Sequence, residues 1–66
     1  MTISVNDEPF ELEREMSVEE FVAEELESDD GLVVLVNDAV VPKEKRNALI
    51  LKEGDCVEVV RFVSGG

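Results

Sequence analysis

The residues with most chemistry to offer stand at the C-terminus, where Arg61-Phe62-Val63-Ser64-Gly65-Gly66 passes from an apolar stretch into two glycines and a carboxylate. Glycine has no Cβ, so such a tail can thread a narrow channel and bring its backbone close to a reagent. Three residues past the last ordered position reach about 10 Å. A carboxylate is a poor electrophile, but its acyl-adenylate carries a good leaving group that sulfur or nitrogen nucleophiles displace. All of that catalysis would belong to a partner, with this chain supplying only the acyl end. Taken alone the glycine pair is ambiguous, because it reads equally well as a frayed terminus.

Other candidates are weaker. Cys56 is the single cysteine and there is no histidine, so a thiol nucleophile lacks its usual base. Asp55 and Glu58 oppose a thiolate, and Arg61 lies too far along the strand to favour one. Cys56 reads as an ordinary strand residue, and a short chain without a disulfide points to a reducing compartment. Glu24, Glu25, Glu27, Asp29 and Asp30 are close together but lack the Asp-x-Asp-x-Asp-Gly order and later Glu of a calcium loop. They read as a solvated acidic face with no metal site. Acid–base catalysis needs groups whose environments drive their pKa values apart, and a chain this small offers few such environments. The expectation is a protein that is not an enzyme, with no catalytic residue and no bound cofactor.

Sixty-six residues are fewer than the roughly 150 of a typical domain, so residues 1–66 read as one domain with a flexible tail at 64–66. Six Lys and Arg against 17 Asp and Glu give a net charge of −11. That charge argues against nucleic acid or an anionic membrane as partner, since both reward clustered cations. Hydrophobic residues at 44% supply enough core material to disfavour disorder. No run approaches the roughly 20 apolar residues of a membrane helix. Met1-Thr2-Ile3-Ser4-Val5 has neither the basic nor the apolar segment of a signal peptide. A cytoplasmic location is expected.

The elements that would carry the tail follow from periodicity. Thr2 to Val5 alternates as a strand, Asn6-Asp7-Glu8-Pro9 has turn chemistry, and Phe10 to Glu13 resumes the alternation, so 2–13 reads as a hairpin. Ser17-Val18-Glu19-Glu20 fits a capping box. Val18, Phe21, Val22 and Leu26 then recur at helical spacing, predicting an amphipathic helix of about ten residues. Acid at Glu27, Asp29 and Asp30 opposes the dipole at the helix C-terminus and does nothing for its stability. Leu32 to Val36 is a continuous β-branched run suited to a central strand. Asn37-Asp38-Ala39 turns the chain into a short Val40-Val41 strand ended by Pro42. Residues 43–47 read as one irregular or 3₁₀ turn, and Cys56 to Val63 as the last strand, with 2–5 as its parallel central neighbour. The architecture is α+β, a mixed sheet of four to five strands with one main helix across one face. On the last strand Val57 and Val59 share one parity and Val60 and Phe62 the other. With Val57 and Val59 under the helix, Val60, Phe62 and the adjoining Val63 form an open apolar face fit for partner docking, unless loops from 38–51 fold over it.

Joined to this element order, the tail makes the chain resemble the ubiquitin-like β-grasp sulfur carriers, most closely those of the ThiS type. The resemblance covers essentially the whole chain and rests on Val5-Asn6, on Val36-Asn37-Asp38-Ala39-Val40-Val41-Pro42, on Gly54-Asp55, and on Val63-Ser64-Gly65-Gly66. Family members often carry Val-Pro-Arg with a downstream Trp, where this chain has Val41-Pro42-Lys43 and Arg46. The resemblance implies that an E1-like adenylyltransferase (ThiF-like) uses ATP to adenylate Gly66. A sulfur donor such as a cysteine desulfurase would then give a thiocarboxylate, and a thiazole synthase (ThiG-like) would receive the sulfur in thiamine biosynthesis. Gly65 and Ser64 would give access to the tail. The same fold and tail also fit a molybdopterin synthase small subunit, or a ubiquitin-like modifier that forms isopeptide bonds.

Overall fold

A computed structural model describes residues 1–62. Two pairs of turn residues organise the sheet. Asn6 and Asp7 have φ of 50° and 69°, and Asn37 and Asp38 have 51° and 70°. Successive left-handed residues make the two-residue type I′ turn, whose twist matches that of paired strands, and Asn and Asp tolerate this conformation better than other side chains. The first turn joins β1 (Thr2–Val5) to β2 (Glu8–Glu11), and the second joins β3 (Leu32–Val36) to β4 (Ala39–Val41). The first turn is shorter than the four residues expected, and the strand resumes at Glu8 with Pro9 opposite Ser4. Because β2 lies at the sheet edge, the N–H that Pro9 lacks costs no ladder bond.

The last strand, β5 (Cys56–Arg61), enters the centre of a five-stranded sheet of order β2-β1-β5-β3-β4. It runs parallel to β1, with Ser4 opposite Cys56 and Val5 opposite Val57, and antiparallel to β3 from Leu32–Arg61 to Val36–Val57. The parallel central pair expected from sequence is therefore present, although β5 stops at Arg61 and Val63 lies outside the described residues.

Helix α1 (Val18–Glu25) crosses one face. Both halves of the capping box form: the Ser17 hydroxyl accepts from the Glu20 N–H at 3.1 Å, and the Ser17 N–H donates to the Glu20 carboxylate at 3.0 Å. The helix is shorter than the ten residues expected, because Leu26 already has extended geometry as its C-cap. Val18, Phe21 and Val22 pack on Ile3, Val34, Val57 and Leu51 in one core, and Phe10 meets Phe21 edge-on with ring centroids 5.5 Å apart. Residues 49–51 run back along Met16–Val18. There the Val18 N–H donates to Leu49 O at 2.9 Å and the Leu51 N–H to Met16 O at 2.9 Å. That segment belongs to the helix side and does not fold over the opposite face. Among the described residues no helix is long and apolar enough to cross a membrane.

One side chain in the acidic run departs from the expected solvated face. Asp29 is half-buried and receives Arg46 Nη1 at 2.6 Å and Lys43 Nζ at 2.7 Å. Arg46, beyond the 3₁₀ turn Lys43–Lys45, is 3% exposed and also donates to Leu32 O at 3.1 Å. Asp29 thus ties the loop after α1 to the connection after β4. It is an anchoring residue, whereas Glu25, Glu27 and Asp30 stay exposed.

Candidate functional site

The site is the sheet face away from the helix, together with the end of β5 and the adjoining Phe62. Alternation along β5 buries Val57 and half-buries Val59 toward the helix, while Cys56, Glu58 and Val60 face outward. Val60 is 40% exposed and Phe62, one residue past the strand, is 66% exposed. Residues directly opposite in paired strands share a face. Val33 lies opposite Val60, Leu35 opposite Glu58, and Val40 opposite Leu35. Val33, Leu35, Val40 and Val60 are therefore neighbours on the face away from the helix, with Val33 and Leu35 half-buried, and Phe62 joins Val33, Val40 and Gly31 around a shallow depression at its end. A contiguous apolar surface of this kind can bury against a partner. Glu58 sits within it opposite Leu35, and with a net charge of −11 on the chain a partner surface carrying cations would be complementary.

β5 is held by more than its ladders. Asn6, having made the first turn, also serves as a piece of strand for β5: its side-chain oxygen accepts from the Val59 N–H at 2.8 Å and its amide donates to Val59 O at 3.4 Å. An amide side chain carries one acceptor and a donor pair, which is what a backbone position offers. At the other end Asn37 combines backbone and side chain: its backbone N–H donates to Cys56 O at 2.7 Å, and its side-chain oxygen accepts from the Cys56 N–H at 3.0 Å. The Cys56 thiol is exposed and free. At the exit, the Phe62 N–H donates to Gly31 O at 2.8 Å and Arg61 Nη1 to Asp30 O at 2.9 Å. Gly31 has φ +66°, and a Cβ there would lie 3.1 Å from the Phe62 carbonyl carbon and run into its oxygen.

Electrostatic anchoring sits beside the site. Lys43, reinforced by Arg46, holds the Asp29 carboxyl below the usual carboxylate range, and Asp29 in turn raises Lys43. At the N-terminal side Arg14 pairs with Glu24 and lowers its pKa. Of the docking residues read from sequence, Val60 and Phe62 come together on the open face. Val63, Ser64, Gly65 and Gly66 lie outside the described residues. Sequence reasoning missed the second role of Asn6 and Asn37, the Gly31 contact and the buried Arg46. The Asn-Asp pair at both turns, where Gly is also favoured, was the one available signal.

A mixed five-stranded sheet under one helix, with a parallel first and last strand at its centre, defines a ubiquitin-like β-grasp protein. Its neighbours among solved structures point the same way. The crystal structure of a thiamine biosynthesis protein (ThiS) from Geobacter metallireducens superposes with a TM-score of 0.86 at 29% identity over 100% of both chains. The solution structure of a thiamine biosynthesis protein from Geobacter metallireducens gives 0.83 at 28% identity, over 100% of this chain and 88% of the other. Comparison with curated proteins finds no match. The model of the ThiS family matches residues 3–66, and the chain belongs to that family. Membership brings with it the role of a sulfur carrier.

Proposed function

We propose that this chain carries sulfur on its Gly66 carboxylate for the thiazole ring of thiamine. The observation that carries the reading is that the family match runs to residue 66 and so includes the Gly65-Gly66 pair. An E1-like adenylyltransferase of the ThiF type docks on the open face through Val60, Phe62 and Val63. One Gly66 carboxylate oxygen attacks the α-phosphorus of ATP, pyrophosphate leaves, and an acyl-adenylate forms. Hydrosulfide attacks the acyl carbon and AMP leaves, which gives the thiocarboxylate. A persulfide from a cysteine desulfurase reaches the same product through an acyl disulfide that a thiol then reduces. A thiazole synthase of the ThiG type accepts the sulfur. Gly65 lets the enzyme approach the backbone, Ser64 links it to the fold, and the chain itself is not an enzyme and holds no cofactor.

The test is incubation with ATP, Mg²⁺ and a ThiF-like enzyme, reading pyrophosphate release, followed by intact mass after a sulfur donor is added. Pyrophosphate release that disappears without Gly66, and a mass raised by exchange of one oxygen for sulfur, are the expected results. Isopeptide conjugates to lysines would make the chain a protein modifier, and sulfur transfer to a pterin precursor would make it a molybdopterin synthase subunit. No pyrophosphate release would end the carrier reading altogether.

A further inference from the structure

Asp30 and Gly31 precede β3 in the chain but grip the far end of β5. The β3–β5 ladder ends at Leu32 opposite Arg61. One step beyond it, Gly31 O takes the Phe62 N–H at 2.8 Å while Asp30 O takes the Arg61 guanidinium at 2.9 Å. Gly31 is left-handed at φ +66°, and the Phe62 carbonyl packs so tightly on its Cα that a Cβ cannot be placed without displacing it. That carbonyl belongs to the peptide bond leading into Val63. The Gly31 backbone therefore fixes the Phe62 carbonyl that leads into Val63, and any other residue at position 31 would both strain the turn and push that carbonyl away.

We infer that the Asp30–Gly31 turn is a length gauge, a pair of positioning residues that set how far the reactive end reaches from the docking face. This rests on the carrier reading above. Four residues, Val63 to Gly66, follow the clamp and span at most about 13–14 Å. Opening the clamp frees Arg61 and Phe62 as well and adds about 7 Å of reach. The entropic effect of the longer leash is small, since effective concentration falls only as roughly the −3/2 power of length. Misplacing the carboxylate is the larger effect, because a 1 Å error at a reacting centre can cost about a hundredfold.

The experiment pairs a tail deletion with an opened clamp, using pyrophosphate release by a ThiF-like enzyme as the readout. Deletion of Ser64 shortens the reach and is expected to lower kcat by about tenfold or more with little change in KM. Gly31→Ala frees the root and is expected to restore activity several-fold to the chain lacking Ser64. A structural defect would do the reverse and compound the loss. Should Gly31→Ala fail to fold, an amide-to-ester replacement at Phe62 deletes the bond to Gly31 O without adding a side chain, and the same rescue is expected. Hydrogen exchange on the unmodified chain gives an independent check: the Phe62 amide should be protected, and exchange at the unfolded-peptide rate would overturn the inference. Multiplicative losses in the double variants would overturn it too. If the unmodified chain is adenylated but insensitive to tail length, only the gauge fails; if it is not adenylated, the carrier reading fails with it.

Discussion

Arg46 offers the sharpest quantitative test of how this small core is held. Its guanidinium is 3% exposed, bonded to Asp29 at 2.6 Å and to Leu32 O at 3.1 Å, with Nε left without a partner. Charge-assisted bonds are worth about 1.5–3 kcal/mol each. Desolvating the cation costs several kcal/mol, so a buried pair commonly breaks even against an apolar side chain of similar volume. Arg46→Met should therefore leave stability within about 1 kcal/mol of wild type, because Asp29 keeps Lys43 and solvent. Arg46→Ala also loses the packing of the aliphatic stem, about 2–3 kcal/mol more. Asp29→Ala should do more damage than Arg46→Met, since it strands a buried cation. The chain has no Trp or Tyr, so urea unfolding followed by far-UV circular dichroism is the suitable assay. With a slope of about 1 kcal/mol/M for so short a chain, the midpoint should move by less than about 1 M for Met and by about 2–3 M for Ala. The pair also sets an acid limit. Lys43 and Arg46 hold the Asp29 pKa low in the folded state. The resulting stabilisation is present above the unfolded carboxyl value of about 4 and disappears as pH falls through the lowered folded value. Asp29→Asn should remove that part of the pH dependence. An Arg46→Met protein as unstable as Arg46→Ala would refute the reasoning, because the charge, and not the stem, would then carry the stability.

Asn6→Gly keeps the turn's left-handed backbone but removes both bonds to Val59. It should cost about 0.5–1.5 kcal/mol and speed exchange of the Val59 amide ahead of the Val34 amide, whereas equal acceleration at both would deny Asn6 a local role. Phe62→Ala should weaken binding to a ThiF-like enzyme by about 1–3 kcal/mol while changing unfolding free energy by less than about 0.5 kcal/mol, as calorimetry and urea titration would show. A comparable loss of stability would instead place Phe62 in the core. The net charge of −11 should make association with the same enzyme fall with rising ionic strength, and a stopped-flow rate independent of salt would remove steering from the account.

Signals that are local in the chain were legible in the sequence. The Ser17–Glu20 capping box, the β-branched run Leu32 to Val36 and the parity of β5 each depend on residues a few positions apart, and each is present in the structure. Boundaries failed where tertiary position overrode propensity. Pro9 is tolerated in a strand because β2 has no outer neighbour, and α1 stops at Glu25 because the chain must turn at Leu26 to reach β3. Arg46, Asp29, Asn6 and Gly31 acquire their roles from partners 14 to 53 positions away, distances at which no periodicity operates. The open face was readable because one helix covers only one side of a sheet. Its extension to Val40 depends on the β3–β4 register, which the turn at Asn37-Asp38 fixes.

Grip on β5 weakens in steps toward its end. At Val57 the strand is paired on both sides, to Val5 and to Val36. By Val59 the β1 ladder has ended and a single side chain, Asn6, replaces it. At Arg61 and Phe62 the β3 side and the Asp30–Gly31 turn hold the chain. Releasing the last two residues breaks few bonds and exposes little that is buried, since Phe62 is already 66% exposed, so that opening should lie well below global unfolding in free energy. Releasing Val57, which is 1% exposed, would open the core. A C-terminal strand at the centre of the sheet, anchored in this graded order, leaves its last residues the easiest to release while Val57 and the core stay folded. An edge strand has ladder bonds on one side only and would peel along its whole length. On the carrier reading proposed above, central placement of the final strand suits a chain whose reactive group follows that strand and whose docking face lies on it.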